Sequence, residues 1–178
     1  MSKVWDYESN DEDKLAELVK KDKDIVMTKP EMAKDLMKIV PLKEGDSVME
    51  CCKGNGAFYN AIPDYCIPEW CEINEGRDYL EYVGSVDYTV SNPPFVPRKL
   101  FWSFMQKAMD TTNKGIYWLV NISSFNVFTP KRLKEMNDKG WYVQRFHIVG
   151  DKRWYGRYCF LTITKKKNEL FTYTHKPY

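Results

Sequence analysis

The stretch "SVMECCKGNGAF", Ser47 to Phe58, passes from an apolar run into a loop with glycines at positions 54 and 56. A run that short, closed by a Gly-x-Gly turn, reads as a buried strand, "SVMECC", and the bend that follows it. The same unit recurs downstream. Strand-like runs stand at "EWCEI" (69–73), "DYTVS" (87–91), "GIYWLVNI" (115–122), "YVQRFHIV" (142–149) and "RYCFLTIT" (157–164), while helical segments fit "RKLFWSFMQKAMDTT" (98–112) and "PKRLKEMNDKG" (130–140). Strands nearly continuous in apolar residues and alternating with helices imply an α/β fold, a mostly parallel sheet with helices on both faces. The last two runs have no clear helix between them, which suits an antiparallel edge strand. In such a sheet ligands bind beyond the carboxyl ends of the strands, so chemistry is expected in the loops there.

Upstream, "MTKPEMAKDLMKIV" (27–40) offers Thr28 as a cap, Pro30 in the first turn, and Met32, Ala33, Leu36, Met37 and Val40 along one helix face. Residues 1–24 are acidic and polar around Leu15, Leu18 and Val19 and read as an arm or surface helix; residues 25–178 read as a single domain. That length buries a core without disulfides or metals. The five cysteines show no zinc spacing, so no metal is expected and reduced thiols are the simplest reading. No run is apolar enough to cross a bilayer, and the first residues lack the apolar centre of a signal peptide; a cytoplasmic protein without a membrane partner is expected.

Charge is unevenly distributed. Residues 1–96 hold 11 Lys/Arg against 20 Asp/Glu, a balance of −9, and residues 97–178 hold 16 against 5, a balance of +11. Such a split points to a polyanionic partner met by the second half, or else to two differently solvated faces.

Four loops carry candidate chemistry, the first three for a ligand. In "ECCKGNGAF" (50–58), Gly54 and Gly56 permit positive φ and close approach of backbone to a ligand, and Glu50 sets an acid at the strand end. The third glycine of a dinucleotide fingerprint is missing, so an ordinary strand-to-helix turn fits equally well. Glu72, ending the second strand, suits acceptance of ribose hydroxyls, one helix and a return away from Gly56; it also reads as a surface acid. Asp78 in "GRDYLEY" suits an adenine amino group. No lysine and serine of a phosphate cradle accompany them, so the ligand read from these loops is a nucleoside without phosphates.

The fourth loop, "VSNPPF" (90–95), ends a strand with two prolines, which remove ladder donors and stiffen the chain. The Asn92 side-chain carbonyl and the Pro93 backbone carbonyl, held rigid through Pro94, form two acceptors aimed at one point, a pair suited to an exocyclic amine on an aromatic ring. Holding both N–H bonds favours pyramidal nitrogen and frees its lone pair to attack. Phe95 would stack on the ring, worth ~1–3 kcal/mol.

These residues resemble a family, the S-adenosylmethionine-dependent amino-methyltransferases of nucleic acids. "VMECCKGNGAF" is similar to their glycine motif, "DYTVSNPPF" to their (D/N/S)PP(Y/F) catalytic motif, "GRDYLEY" to the Asp-aromatic-Leu motif between them, and "MTKPEMAKDLM" to the Thr-x-Pro segment preceding the glycine motif. The order resembles that of N6-adenine DNA methyltransferases. The resemblance covers roughly residues 25–125 and implies a Rossmann-like class I methyltransferase sheet. It also implies that S-adenosylmethionine is held by Thr28, Glu50, Gly54, Gly56, Glu72 and Asp78, and the target amine by Asn92, Pro93, Pro94 and Phe95.

Departures from the family pattern are Glu50 in place of the commoner Asp, Lys53 as an added charge inside the glycine loop near a cationic sulfonium, and a short stretch between the glycine and catalytic motifs, which implies a trimmed sheet or a missing helix. The chain leaves no room for a separate target-recognition domain. Selectivity is then low, borrowed from a specificity partner protein, or carried by "SSFNVFTPKR" (123–132) and "GDKRWYGRY" (150–158). The latter sets Lys152, Arg153 and Arg157 among Trp154 and Tyr155, suited to phosphate contact and base stacking, or alternatively to a hairpin packing on its own sheet. DNA is the expected partner ahead of RNA. A non-catalytic nucleic-acid-binding subunit is the rival reading. His147 reads as a residue on a strand, the "KKK" at 165–167 as a solvated strand end, and Cys51 and Cys52 as packing residues.

Overall fold

The computed structural model describes residues 27–151 and 157–172. The acidic arm 1–24, the loop residues Lys152, Arg153, Trp154 and Tyr155, and His175 lie outside the described residues. Along the chain come α1 (Pro30–Met37), β1 (Ser47–Glu50), β2 (Ile67–Trp70), β3 (Val86–Ser91), α2 (Arg98–Thr111), β4 (Thr112–Asn121), α3 (Pro130–Asp138), β5 (Tyr142–Val149) and β6 (Tyr158–Thr164). The six strands form one sheet in the order β2-β1-β3-β4-β6-β5. β1 is parallel to β2 and β3, and β3 to β4, while β6 runs antiparallel to both β4 and the edge strand β5. The mostly parallel sheet with antiparallel pairing toward one edge is therefore formed as expected.

Alternation along the strands divides the core into two layers. On one face Val48, Tyr88, Tyr117, Leu119 and Phe160 pack with Ala33, Leu36 and Met37 of α1. On the other, Met49, Ile116, Trp118, Val120 and Leu161 pack with Phe101 and Met105 of α2 and Met136 of α3. In β4 the residues from Ile116 to Val120 switch layer at every step, so all five are buried. The chain has no side to spare for water there, which is why "GIYWLVN" shows no polar interruption.

Gly115 opens that run for a steric reason. A Cβ there would stand 2.7 Å from Cε2 of Tyr117 and 3.4 Å from Cδ1 of Tyr88. Both rings are buried, and Tyr117 also packs on Phe160. We expect Gly115→Ala to cost about 1–3 kcal/mol through overpacking, read as a lower midpoint in urea with an unchanged slope.

Two expectations are corrected. Thr28 does not cap α1: the N-cap is Lys29, with no side-chain cap, and the helix ends at Met37 rather than Val40. Lys29 is extended (φ −70°, ψ 141°), as the residue before a proline must be, which carries Thr28 away from the helix N-terminus. Nor does a helix follow the glycine loop. Residues 51–66 return to β2 with only a 3-10 turn at Tyr59–Ala61, because Pro63 forces Ile62 into extended geometry (φ −65°, ψ 128°) before a helix can propagate. From β2 to β3 the chain again uses only two 3-10 turns, Ile73–Glu75 and Tyr79–Glu81. The shortened crossover anticipated from the motif spacing is thus real, and β2 closes at Trp70, the second residue of the expected "EWCEI" strand.

Candidate active site

Because β1, β2 and β3 are parallel, Glu50, Glu72 and Asn92 all emerge at the carboxyl end of the sheet. After β1 the chain turns through Gly54 (φ +50°) and Gly56 (φ +79°), conformations that side chains rarely adopt. The turn is closed by a bond from the Gly56 N–H to the Lys53 carbonyl at 2.7 Å. Glu50 lies beneath it, 3% exposed. Its carboxylate accepts the Tyr59 N–H at 2.6 Å, yet burial pushes its pKa up from 4.5 to about 8.

Glu72 links the second loop to the first, accepting the Gly54 N–H at 2.8 Å and the Asn74 N–H at 3.1 Å. The segment before α1 continues the chain of contacts. Sδ of Met27 stands 3.4 Å from where a Cβ on Gly54 would be, and the neighbouring Thr28 hydroxyl, buried, accepts Nδ2 of Asn92 at 3.4 Å. Four segments far apart in sequence are so joined: Glu72, the glycine loop, Met27–Thr28 and the Pro-Pro loop. Asn92 is half-buried, and its amide nitrogen donates to Thr28, so its carbonyl oxygen is the part of the side chain left to act as an acceptor. Pro93 is buried, while Pro94 and Phe95 are half-buried.

Asp78 stands outside this chain of contacts, its carboxylate capping the turn Tyr79–Glu81 through the Leu80 N–H at 2.9 Å. Phe95 meets Tyr158 edge-on, with ring centroids 6.2 Å apart. Since β6 runs antiparallel, its first residues lie at the carboxyl end of β4, and the exposed Arg157 arrives there just ahead of Tyr158.

Lys53, expected as a charge near a cationic ligand, is directed elsewhere. Its ammonium pairs with Glu75 at 2.9 Å and lies 3.8 Å from the Trp70 ring centroid, while the Arg77 guanidinium lies 4.0 Å from the same ring. Sequence reading missed Met27 and this Lys53–Trp70–Arg77 stack; the only available signal was their adjacency to motif residues. Its hydrogen bond with Cys51 and burial push the Cys52 thiol up, away from the reactive thiolate, as suits a packing residue. An open groove of about 560 Å³ also lies between α1 and the end of β5, lined by Lys29, Met32, Leu36, His147, Ile148 and Asp151. It includes none of the residues joined above.

The donor set fits a cationic nucleoside. Among the described residues no ion pair engages the buried Glu50, Glu72 reaches the glycine loop, and the loop's own lysine is paired with Glu75.

No family model matches the sequence, and no curated protein does. Solved structures do. TrmN from Thermus thermophilus superposes with a TM-score of 0.60 at 13% identity over 76% of this chain, which spans about half (48%) of the TrmN chain. The 23S rRNA methyltransferase ErmE gives 0.61 at 12% identity, covering 78% of this chain and 68% of its own. Magnesium protoporphyrin IX methyltransferase from Synechocystis PCC 6803, with bound S-adenosylmethionine, gives 0.51 at 10%, covering 75% and 76%. The sheet order, the carboxyl-end loops and these three superpositions agree: the chain has the Rossmann-like class I fold of S-adenosylmethionine-dependent methyltransferases.

Proposed function

We propose that the protein transfers the methyl group of S-adenosylmethionine to an exocyclic amine of a nucleic-acid base, with N6 of adenine in DNA as the leading target. The observation that supports this reading is the bond from Asn92 to Thr28, whose neighbour Met27 has its Sδ 3.4 Å from where a Cβ on Gly54 would be. Both the Pro-Pro loop and the glycine loop thus adjoin the Met27–Thr28 segment. Glu50, Glu72 and Asp78 with the two glycines would hold the cofactor, whose sulfonium supplies the electrophilic methyl. The Asn92 and Pro93 oxygens would accept both N–H bonds of the amine, and Phe95 would set the plane of the base. The nitrogen lone pair would then take the methyl carbon in line as its bond to sulfur breaks, leaving the neutral thioether S-adenosylhomocysteine, and the surplus proton would leave the cationic nitrogen to water. Preorganised acceptors of this kind act most strongly in the transition state.

A second reading, an RNA base as target, is supported by the ErmE superposition. The porphyrin-modifying neighbour is a reminder that this fold alone does not choose a substrate. For a base in a duplex the target must leave the stack, so single-stranded or distorted substrate is favoured. Selection of the site falls to the loops 123–132 and 150–158 or to a partner protein.

The test is nucleoside mass spectrometry of DNA and RNA after expression in a methylation-free host, alongside Asn92→Ala. N6-methyladenine in DNA with the wild type alone is the expected result. A methylated base in RNA alone selects the second reading, and no modified nucleoside in either pool refutes both. The cofactor site is tested separately. Glu72→Ala leaves the Gly54 N–H without its charged acceptor, worth about 1.5–3 kcal/mol, so S-adenosylhomocysteine should bind about 10–100-fold more weakly by calorimetry.

A further inference from the structure

The charge split of the sequence becomes a split of the molecule. Strand order β2-β1-β3-β4-β6-β5 puts the three strands drawn from residues 47–91 in one half of the sheet and the three drawn from residues 112–164 in the other. Described residues 27–96 hold six Lys/Arg against twelve Asp/Glu, and those from 97 onward hold thirteen against five. The boundary between the halves falls at β3, whose carboxyl end is the Asn92–Phe95 loop.

At the carboxyl end of the second half stand Arg98 and Lys99 after β3, Lys131 after β4, and Arg157 before β6, all exposed. They sit on the segments that leave β3 and β4 and enter β6, strands adjacent in the sheet, so all four belong to the end of the sheet that carries Asn92. Among the described residues none of the four pairs with a carboxylate, although Lys114 bridges Asp46 and Asp87, Lys139 meets Asp110 and Lys134 meets Asp138. Three of them also sit where folding disfavours a cation. Arg98 and Lys99 occupy the first turn of α2 and Lys131 that of α3, at the positive end of each helix dipole, and neither first turn contains an acid. Arg132 in the same turn is held by the Val127 carbonyl at 3.2 Å and by the Trp102 ring. Placement that opposes local preference marks a site shaped by something outside the fold.

We infer that Arg98, Lys99, Lys131 and Arg157 form a phosphate track for a single polynucleotide strand that enters beside the Asn92 loop. This rests on the function proposed above, and supplies what that reading lacks, the surface that holds the backbone while a base is presented. The acidic half repels the same strand, so the strand has one side of the loop on which to lie.

The test separates binding from turnover. Fluorescence anisotropy of labelled single-stranded 20-nucleotide DNA and RNA is measured against salt, without cofactor, for wild type, Arg98→Glu/Lys99→Glu, Lys131→Glu, the Ala variant of all four positions, and a Lys165→Ala/Lys166→Ala/Lys167→Ala control at the other end of β6. The four-site variant should bind at least ~100-fold more weakly at 50 mM salt, with a salt slope shallower by about 2.8, as loss of four phosphate contacts to a single strand requires. Arg98→Glu/Lys99→Glu should bind more weakly yet melt about 1–4 °C higher, since acids suit a helix N-terminus; a purely structural role would move both readouts together. Equal losses in the Lys165–Lys167 control, an unchanged salt slope in the four-site variant, or no binding by the wild type would each overturn the inference. Binding that depends on the track, with no methyl transfer to any pool, would leave the track standing and remove the catalytic reading instead.

Discussion

Asn92→Ala retains the fold and cofactor affinity and lowers kcat for methyl transfer by at least ~100-fold, the loss seen when one preorganised hydrogen-bonding group is removed from an active site. The side chain is half-buried and its one described hydrogen bond, to Thr28, is long at 3.4 Å, so little stability rides on it. Its worth lies in the free carbonyl oxygen, which gains strength only as the amine becomes pyramidal and its N–H bonds more acidic. An interaction realised in the transition state shows in kcat rather than in KM. Asn92→Asp keeps an oxygen at the same place and should lose less than Asn92→Ala. Thr28→Val acts through positioning: the amide is released to turn, and a smaller loss of about 3–10-fold is expected, with no change in thermal midpoint beyond that of one lost long hydrogen bond. Single-turnover rates with saturating S-adenosylmethionine check all three. A rate for Asn92→Ala above half that of wild type would remove the paired-acceptor mechanism.

The parts of this molecule legible in the sequence are those written in local pattern. Five strand runs and the helices α2 and α3 fall where apolar alternation and periodicity place them, because "GIYWLVN" and "RKLFWSFMQKAM" bury nearly every residue that pattern marks. β2 is displaced because "IPEW" is exposed or half-exposed along its whole length, leaving the apolar signal to fall on the residues after it. Pairing order was not legible. The insertion of β6 between β4 and β5 depends on contacts between residues such as Val120 and Cys159, which no local pattern records. The same limit governs the site. Glycines, acids and the Pro-Pro loop announce themselves singly, but the link that assembles them, Asn92 to Thr28, spans 64 residues and took Thr28 from the helix-capping role its sequence neighbours suggested. Lys53 looked like a stray charge against a cationic ligand until Trp70 and Glu75, from the strand and turn beyond, engaged it.

Glu50→Gln makes the unliganded protein more stable at pH 8 than the wild type, and the difference vanishes toward pH 4.5. The folded carboxyl titrates at about 8 because burial disfavours its charge, against 4.5 for the free group. Between those values the unfolded chain has released a proton that the folded chain keeps, so stability falls as pH rises through the window, by about 1.4 kcal/mol per unit. The full penalty is on the order of 4 kcal/mol as an upper bound, roughly 10 °C in thermal midpoint for a domain of this size. Glutamine stays neutral and still accepts the Tyr59 N–H, which removes the slope. Asp87 does not blur the measurement: the Ser47 N–H bond holds its carboxyl below the usual range, so its contribution is lost only as pH falls below about 4. With ligand the sign reverses. A cofactor carrying a sulfonium and an ammonium favours ionised Glu50, so at pH 7 its binding should release about one proton, read as a buffer-dependent calorimetric enthalpy in the wild type and a flat one in Glu50→Gln. Identical pH profiles of melting for the two proteins would show that Glu50 is charged throughout, and that the buried acid is not the group waiting for the cation.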